Sequence, residues 1–237
     1  MIRTALILAA AAGTAATANA GIQITEFMYT GEGDEFFELT NTGTTPVDMA
    51  GWVYDDSSRV FSPSNDTGAD IPDPLDPEEE LDAGLNLGSF GIIQPGESVV
   101  VHEGVDFVFR ADWNLDPSVK TIELYENNLG RNDEINIFDA SGNLVDRLTY
   151  NDQDFPGEVR ARGFSANPKT LAALGANDYG QWQLASEGDV YGSYASLAVD
   201  PDDNASDIAS PGFFQIPTPA SAALLGLAGL GAARRRR

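Results

Sequence analysis

The sequence predicts an all-β protein built as an antiparallel β-sandwich, and three observations lead to this prediction. Short runs that alternate apolar and polar residues recur along the chain, as in GIQITEFMY. Stretches rich in Gly, Asn, Asp and Pro, the residues of hairpin connections, separate these runs. The stretch NPKTLAAL is the sole helix-like segment inside the domain and predicts one or two turns. Strands at this spacing with so little helix favour a sandwich.

The expected strands follow one another in a simple order. They are GIQITEFMY, FFELTN, VDMAGWVYDD, ESVVVHEG, DFVFRADW, the two arms of DEINIFDASGNLVDRLTY, and QWQLAS. In the first strand Ile22, Ile24 and the aromatic residues alternate with polar residues. The DASGN turn predicts a hairpin, with Ile135 and Ile137 on one arm and Leu144, Leu148 and Tyr150 on the other.

Two regions carry no regular pattern and predict long acidic loops. Ser57 to Gly91 is rich in Ser, Pro, Asp and Gly, and we expect an inserted loop at one end of the sandwich. Asp200 to Ser210 predicts a second acidic loop.

The first 20 residues have the layout of a secretory signal peptide. Arg3 precedes an apolar stretch too short to span a membrane, and Ala18-Asn19-Ala20 forms a small-x-small cleavage pattern. We expect signal peptidase to cut between Ala20 and Gly21. Export of the chain follows from this prediction.

The negative charge of the chain limits the classes of partner that it is expected to bind. The sequence has 13 Lys and Arg against 37 Asp and Glu, for a net charge of −24. Without Arg3 and the four terminal arginines, 8 basic residues face 37 acidic ones, a net charge of −29. Such a surface repels phosphate backbones and anionic membranes, so nucleic acid is not an expected partner. The absence of cysteine excludes disulfides and thiol chemistry.

The C-terminus combines a proline pair, an apolar run and an arginine cluster. The run from Ala220 to Ala233 has 14 residues, about 21 Å as a helix, against a hydrocarbon thickness of roughly 30 Å. It is short for a permanent span. The arginines that follow it favour a cytoplasmic end and would stop translocation. They are Arg234, Arg235, Arg236 and Arg237.

This tail, residues 216–237, resembles a PEP-CTERM sorting signal, which an exosortase of the bacterial inner membrane reads. The motif position is occupied by Pro217, Thr218, Pro219, Ala220 and Ser221. Thr218 stands where that family commonly has Glu. The resemblance implies transient anchoring in the inner membrane and release to the cell envelope, the cell surface or the extracellular matrix. It leaves residues 21–215 as the folded domain.

The domain itself resembles a lamin tail domain. IQITEFMY supplies an Ile-x-Glu strand, and EFFELTNTGTTPVDMAGWVYDD supplies a Glu-Leu-x-Asn strand followed by a Gly-Trp strand. The similar elements run in order from Ile22 to Phe214 and include IIQPGESVVV and NDEINIFDASGNLVDRLTY. The resemblance implies an immunoglobulin-like antiparallel β-sandwich. The two long acidic loops of this chain would be additions to that sandwich.

Four positions of this motif region have a structural interpretation. We expect Trp52 to be an aromatic anchor in the core, and Gly51 to allow a bulge or a close strand approach. Glu38 and Asn41 are expected beside strand ends, where their side chains would satisfy loop amides.

The sequence offers little for catalysis, and we predict no enzyme. His102 is the single histidine, so a Ser-His-Asp triad would have to use it, yet no Gly-x-Ser-x-Gly elbow is present. We expect it to be a satisfied or exposed histidine at a strand end. Carboxylate pairs such as Asp34/Glu35 and Asp55/Asp56 arise from composition alone.

A calcium site is the open alternative to a solvated acidic loop near the C-terminus. Oxygen-bearing side chains stand at the odd spacing of a Ca²⁺ loop: Asp200, Asp202, Asn204 and Asp207. Ala205 replaces the glycine and Pro211 replaces the glutamate of an EF-hand, so the stretch is not one.

These features together predict a non-catalytic, exported envelope or matrix protein. Its expected partners are an exosortase and signal peptidase for processing, and an extracellular polysaccharide or matrix protein as ligand. The alternative is a calcium-dependent hydrolase or adhesin that acts on matrix polysaccharide.

Overall fold

The structure is a computed structural model that describes residues 21–55, 59–60, 71–72, 84–124, 129–153, 157–199, 201 and 205–215. The predicted signal peptide, most of the inserted loop and the sorting signal lie outside the described residues.

Sixteen strands and four short helices make up the described elements. The strands are β1 (Ile22–Met28), β2 (Phe36–Asn41), β3 (Val47–Asp48), β4 (Val53–Asp55), β5 (Arg59–Val60), β6 (Ile71–Pro72), β7 (Leu85–Asn86), β8 (Ile92–Ile93), β9 (Ser98–Glu103), β10 (Lys120–Leu124), β11 (Asn132–Phe138), β12 (Leu144–Asn151), β13 (Ala166–Pro168), β14 (Trp182–Leu184), β15 (Tyr194–Val199) and β16 (Ser206–Ala209). The helices are α1 (Asp106–Asp112) and the 3₁₀ turns η1 (Leu87–Phe90), η2 (Leu171–Ala173) and η3 (Tyr179–Gln181).

Two sheets form the sandwich, as the sequence predicts. One has six strands in the order β10-β9-β2-β1-β13-β14, and the other has four in the order β12-β11-β4-β7. All of these neighbours pair antiparallel except β9 and β10, which are parallel. The immunoglobulin-like fold class is therefore confirmed.

Aromatic side chains join the two sheets in the core. The ring of Phe27 in β1 lies 4.5 Å from that of Tyr150 in β12 and 6.0 Å from that of Trp182 in β14, measured between ring centroids. Phe37 in β2 lies 4.5 Å from Tyr54 in β4. Ile135, Ile137 and Leu148 of the predicted hairpin are buried among them, whereas Leu144 is exposed.

A β-bulge in β1 changes the alternation that the sequence suggests. Ile22 and Ile24 face the core, but the next core residue is Phe27, because the register with β2 shifts between Ile24 and Glu26. The extra residue places Thr25 and Glu26 together on the opposite face of the sheet.

That opposite face is also covered, which gives the domain a third layer. α1 and the β15–β16 hairpin pack on it. A second apolar cluster forms there from Met28, Phe36, Val100, Phe109, Trp113, Leu115 and Ala209. Every residue of β1 and β2 is consequently buried.

One strand prediction is wrong, and the predicted helical segment is a single turn. DFVFRADW forms α1 instead of a strand, because Phe109 and Trp113, four residues apart, share one helix face and pack on Phe36. NPKTLAAL forms a single turn, the 3₁₀ turn at Leu171–Ala173, within the predicted one or two turns, while Pro168 still belongs to β13.

The two predicted loops contain short strands. Within Ser57 to Gly91, β5 pairs with β6, and β7 pairs with β4 at the edge of the four-stranded sheet. Within Asp200 to Ser210, Ser206–Ala209 forms β16 and pairs with β15. The second loop therefore ends earlier than predicted.

Trp52 is not the buried anchor that the sequence predicts. It is partly buried at the margin of the core, whereas Trp113 and Trp182 are fully buried. Gly51 fits its prediction: its φ is 78°, and a Cβ there would lie 3.0 Å from the Cβ of Ala140.

Trp113→Ala should destabilise the full-length chain by about 3–5 kcal/mol, the range for large aromatic truncations in a core. The change also removes the hydrogen bond from Trp113 Nε1 to the Gly33 carbonyl, 2.8 Å long. Trp52→Ala should cost clearly less, since its ring is partly solvated already. Urea unfolding of both variants measures the difference, and equal losses would contradict the assignment of the third layer.

Candidate functional site

The structure describes few of the predicted site residues. Gly21 is the first described residue and directly precedes β1. Ala20, the sorting motif and the four terminal arginines lie outside the described residues, as do Asp200, Asp202 and Asn204 of the calcium hypothesis. Asp207 is described, in β16.

The side chain of Asp207 has a structural role in the fold. It is buried, and its Oδ2 accepts a hydrogen bond of 2.6 Å from the backbone N–H of Gly33. A Cβ on Gly31 would lie 2.5 Å from the same oxygen, so glycine is needed for this approach. No group of three or more His, Cys, Asp or Glu residues within the described part of the chain is arranged to hold a metal ion. The calcium site stays a prediction.

Beside Asp207 lies a cleft of about 450 Å³. Its residues come from the end of β1, the segment before β13, and the start of β16. They are Thr30, Gly31, Glu32, Arg160, Arg162, Gly163, Phe164, Ala205, Ser206 and Asp207. We refer to it as the Arg160–Arg162 cleft.

Backbone hydrogen bonds join the three segments that form the cleft. Thr30 and Arg162 form a parallel bridge, and the N–H of Gly163 donates to the Thr30 carbonyl at 2.9 Å. The N–H of Ile208 in β16 donates to the Gly163 carbonyl, also at 2.9 Å. The walls are thus tied to the six-stranded sheet.

Two arginines and an aromatic ring give the cleft its chemical character. Ala161, between the arginines, is fully buried, while Arg160 and Arg162 are exposed on either side of it. The Arg160 Nε atom lies 3.7 Å from Asp152 Oδ2. The side chain of Phe164 is 44% exposed. Glu32 and Asp207 add carboxylates to the same cleft.

A buried pair of carboxyl groups lies in the six-stranded sheet, on the face away from the core. Glu26 in β1 and Glu38 in β2 are direct cross-strand partners, and neither is exposed. These are the glutamates of the two strand motifs in the sequence. Glu38 lies in the middle of β2 and not beside a strand end as predicted; it accepts a hydrogen bond of 2.5 Å from the Thr25 hydroxyl and also one from the backbone of Gly212, in the loop after β16. Asn41 does serve a loop, since its Nδ2 donates to the Thr45 and Ile93 carbonyls.

The partners of Glu26 come from distant parts of the chain. Its Oε1 accepts hydrogen bonds from the Ser165 hydroxyl and, at 2.8 Å, from the Ser210 backbone N–H. The Ser210 hydroxyl lies 3.1 Å from Oε2. These contacts hold the C-terminal segment against the sheet.

The carboxyl pair binds protons more tightly than free glutamates do. Burial raises the pKa of Glu26 to about 7. Burial, with the neighbouring charge of Glu26, raises the pKa of Glu38 to about 8. Two like charges in one buried site cannot both be tolerated, so the pair retains a proton at neutral pH.

His102 is a structural residue, in keeping with the expectation of a satisfied histidine. It is fully buried in β9 and stacks on Phe109 with ring centroids 4.2 Å apart. Its Nδ1 lies 2.8 Å from the Glu103 carbonyl oxygen, and its Nε2 lies 3.4 Å from Asp106 Oδ1. Both ring nitrogens thus face oxygen partners inside the fold.

The free energy of unfolding should fall as the pH rises through the neutral range. Because the folded-state pKa values of Glu26 and Glu38 exceed the usual 4.5, their stabilisation is complete below about pH 4.5 and is lost as the pH passes about 7 and 8. We expect a loss on the order of a few kcal/mol. Asp146, whose pKa burial raises to about 6, adds a loss at lower pH that is complete above about pH 6.

Glu38→Gln should reduce the slope of the free energy of unfolding against pH between pH 6 and 8.5. The substitution removes one titrating group and the repulsion between its carboxylate and that of Glu26. Glu103→Gln is the matched control, since its side chain is exposed on β9. Urea unfolding across the pH range gives the slopes. If wild type and Glu38→Gln had the same slope, the pair would not titrate as described.

Within the described residues, none of the helices is both long and apolar enough to cross a membrane.

Comparison with the curated proteins gives no match.

The family comparison agrees with the geometry of the sandwich. The sequence model of the lamin tail domain family matches residues 15–152 of the chain, which include β1 to β12. β13, β14, the β15–β16 hairpin and most of the Arg160–Arg162 cleft lie beyond the matched residues. We call residues 153–215 the C-terminal addition. The lamin tail domain is a non-enzymatic immunoglobulin-like module. The chain belongs to the lamin tail domain family.

Proposed function

We propose that the protein is an exported, non-catalytic interaction module of the cell envelope or the extracellular matrix. The observation that carries this proposal is the lamin tail domain match over residues 15–152, together with the sandwich that these residues form. Such folds place function on surfaces and loops, so the activity to look for is binding.

The acidic composition supports a location outside the cell. A net charge of −24 keeps the chain soluble and turns away nucleic acid and anionic membranes. Ordinary ligands for such a surface are carbohydrate polymers, proteins with basic patches, and divalent cations.

The ends of the sequence support delivery by sorting. Signal peptidase would cut between Ala20 and Gly21. The C-terminal run of 14 apolar residues and the arginines after it would then hold the chain in the inner membrane until an exosortase cuts near Pro217 and Pro219. Each proline fixes its own φ and biases the residue before it away from helix, which keeps the cleavage segment extended.

Replacing both Pro217 and Pro219 with alanine should block exosortase cleavage, because a helical segment does not offer an extended backbone to a peptidase. The uncut protein should accumulate in the inner membrane. Cell fractionation and the mass of the product measure this, and the mature chain should begin GIQITEF.

Removing Arg234 to Arg237 should have a different effect. The apolar run is too short to hold itself in the bilayer, so without the cytoplasmic charges the chain should pass through and be released uncut. A matched control replaces the four arginines with lysines, which keeps the charge. Wild-type localisation and mature mass in both the proline and the deletion variants would overturn the sorting proposal.

A further inference from the structure

Arg162 stands out among the basic residues of this acidic chain. Most described cations have a carboxylate partner: Arg110 with Asp106, Lys120 with Glu97, Arg131 with Asp152, Arg147 with Glu134, and Arg160 with Asp152. Lys169 donates to the Gly180 carbonyl instead of to an acid, and the Arg162 side chain has no acidic partner within the described part of the chain, although acidic residues outnumber basic ones almost three to one. An exposed guanidinium left unpaired here is available for a ligand.

The second arginine is held in place beside it. Arg160 lies near Asp152 and the Tyr29 hydroxyl, which fixes its position at one end of the cleft. Arg160 and Arg162 both line the cleft, with the buried Ala161 between them at a tight turn in which the Arg162 N–H donates to the Arg160 carbonyl at 2.8 Å. Guanidinium groups present paired N–H donors that match the two oxygens of a carboxylate.

The rest of the lining restricts which anion fits. Glu32 and Asp207 place carboxylates in the same cleft, and these repel an anion that has no hydrogen-bond donors. A ligand that carries a carboxylate for the arginines and a hydroxyl donor for the exposed Glu32 satisfies both kinds of group. Thr30 and Ser206 provide further hydroxyl partners.

Phe164 supplies the remaining part of the surface. Its ring is 44% exposed beside the two arginines, where an apolar face can pack on the ligand. The ring of a pyranose sugar has such a C–H face, and an extended acidic peptide has none in a fixed place. A volume of about 450 Å³ lies within the usual range for small-ligand sites.

We propose that the Arg160–Arg162 cleft binds an acidic saccharide, with the uronate carboxylate on Arg160 and Arg162 and the sugar ring on Phe164. This inference rests on the proposed interaction function and names its ligand class. The site belongs mostly to the C-terminal addition, which the family match does not cover.

The test is titration calorimetry on the full-length chain in mild detergent, with tetragalacturonate as the probe. Its fully methyl-esterified form, which is neutral, and tetraglutamate, which is acidic but not a sugar, are the comparison ligands. Wild type should bind tetragalacturonate at least tenfold more tightly than either. Arg162→Ala should weaken that binding on the order of tenfold or more, because a charged hydrogen-bonding partner is lost.

Matched controls separate the site from general effects of charge and surface. Lys169→Ala removes one exposed cation outside the cleft, and Phe213→Ala removes an exposed ring outside it; both should bind as wild type does. Phe164→Ala should weaken binding, and Arg162→Lys should recover only part of it. Thermal unfolding of each variant verifies that it is folded.

Two results would overturn the proposal in different ways. Suppose that wild type binds tetragalacturonate and that Arg162→Ala binds it as tightly as Lys169→Ala and wild type do. The ligand class would then be right, and the cleft would be the wrong site. If tetraglutamate bound as tightly as tetragalacturonate, or wild type bound neither, the acidic-saccharide assignment would be wrong. Neither result touches the sorting of the protein, which the tail variants test separately.

Discussion

The buried pair of Glu26 and Glu38 constrains the rest of the domain. Two carboxyl groups opposite each other in a sheet are costly unless protons and hydrogen bonds compensate them. Hydroxyls within the sheet serve Glu38, through Thr25 and Thr40. Glu26 relies on Ser165 and Ser210, which lie beyond the residues matched to the family. The C-terminal addition is therefore part of the fold and not an appendage.

The apolar core and the cleft also depend on the C-terminal addition. Tyr179 and Trp182, both in the C-terminal addition, pack on Phe27 and complete the sandwich. At Thr30, two residues after the end of β1, the addition stays attached through the Gly163 backbone but leaves a gap at the surface. The cleft is thus a consequence of how the addition closes the sheet.

The sequence predicts the parts of the fold that local patterns control. The β11–β12 hairpin follows from its turn and from the alternation that buries Ile135 and Ile137. α1 is missed because its apolar run has strong β propensity, and contacts of Phe109 and Trp113 with β2 decide in favour of helix. The bulge at Thr25 has no local signal. The cleft could not be predicted, because Thr30 and Arg162 meet only through tertiary pairing.

Native-state hydrogen exchange tests the central claim, that residues 153–215 form one cooperative unit with the lamin tail strands. The amide hydrogens of Glu38, Ala185 and Ser210 represent β2, the end of β14 and the C-terminal segment. If the addition and the lamin tail strands unfold together, all three amides exchange only through global unfolding, with the same free energy of opening. Fast exchange at Ala185 and Ser210, with Glu38 still protected, would contradict it and show that the addition opens independently.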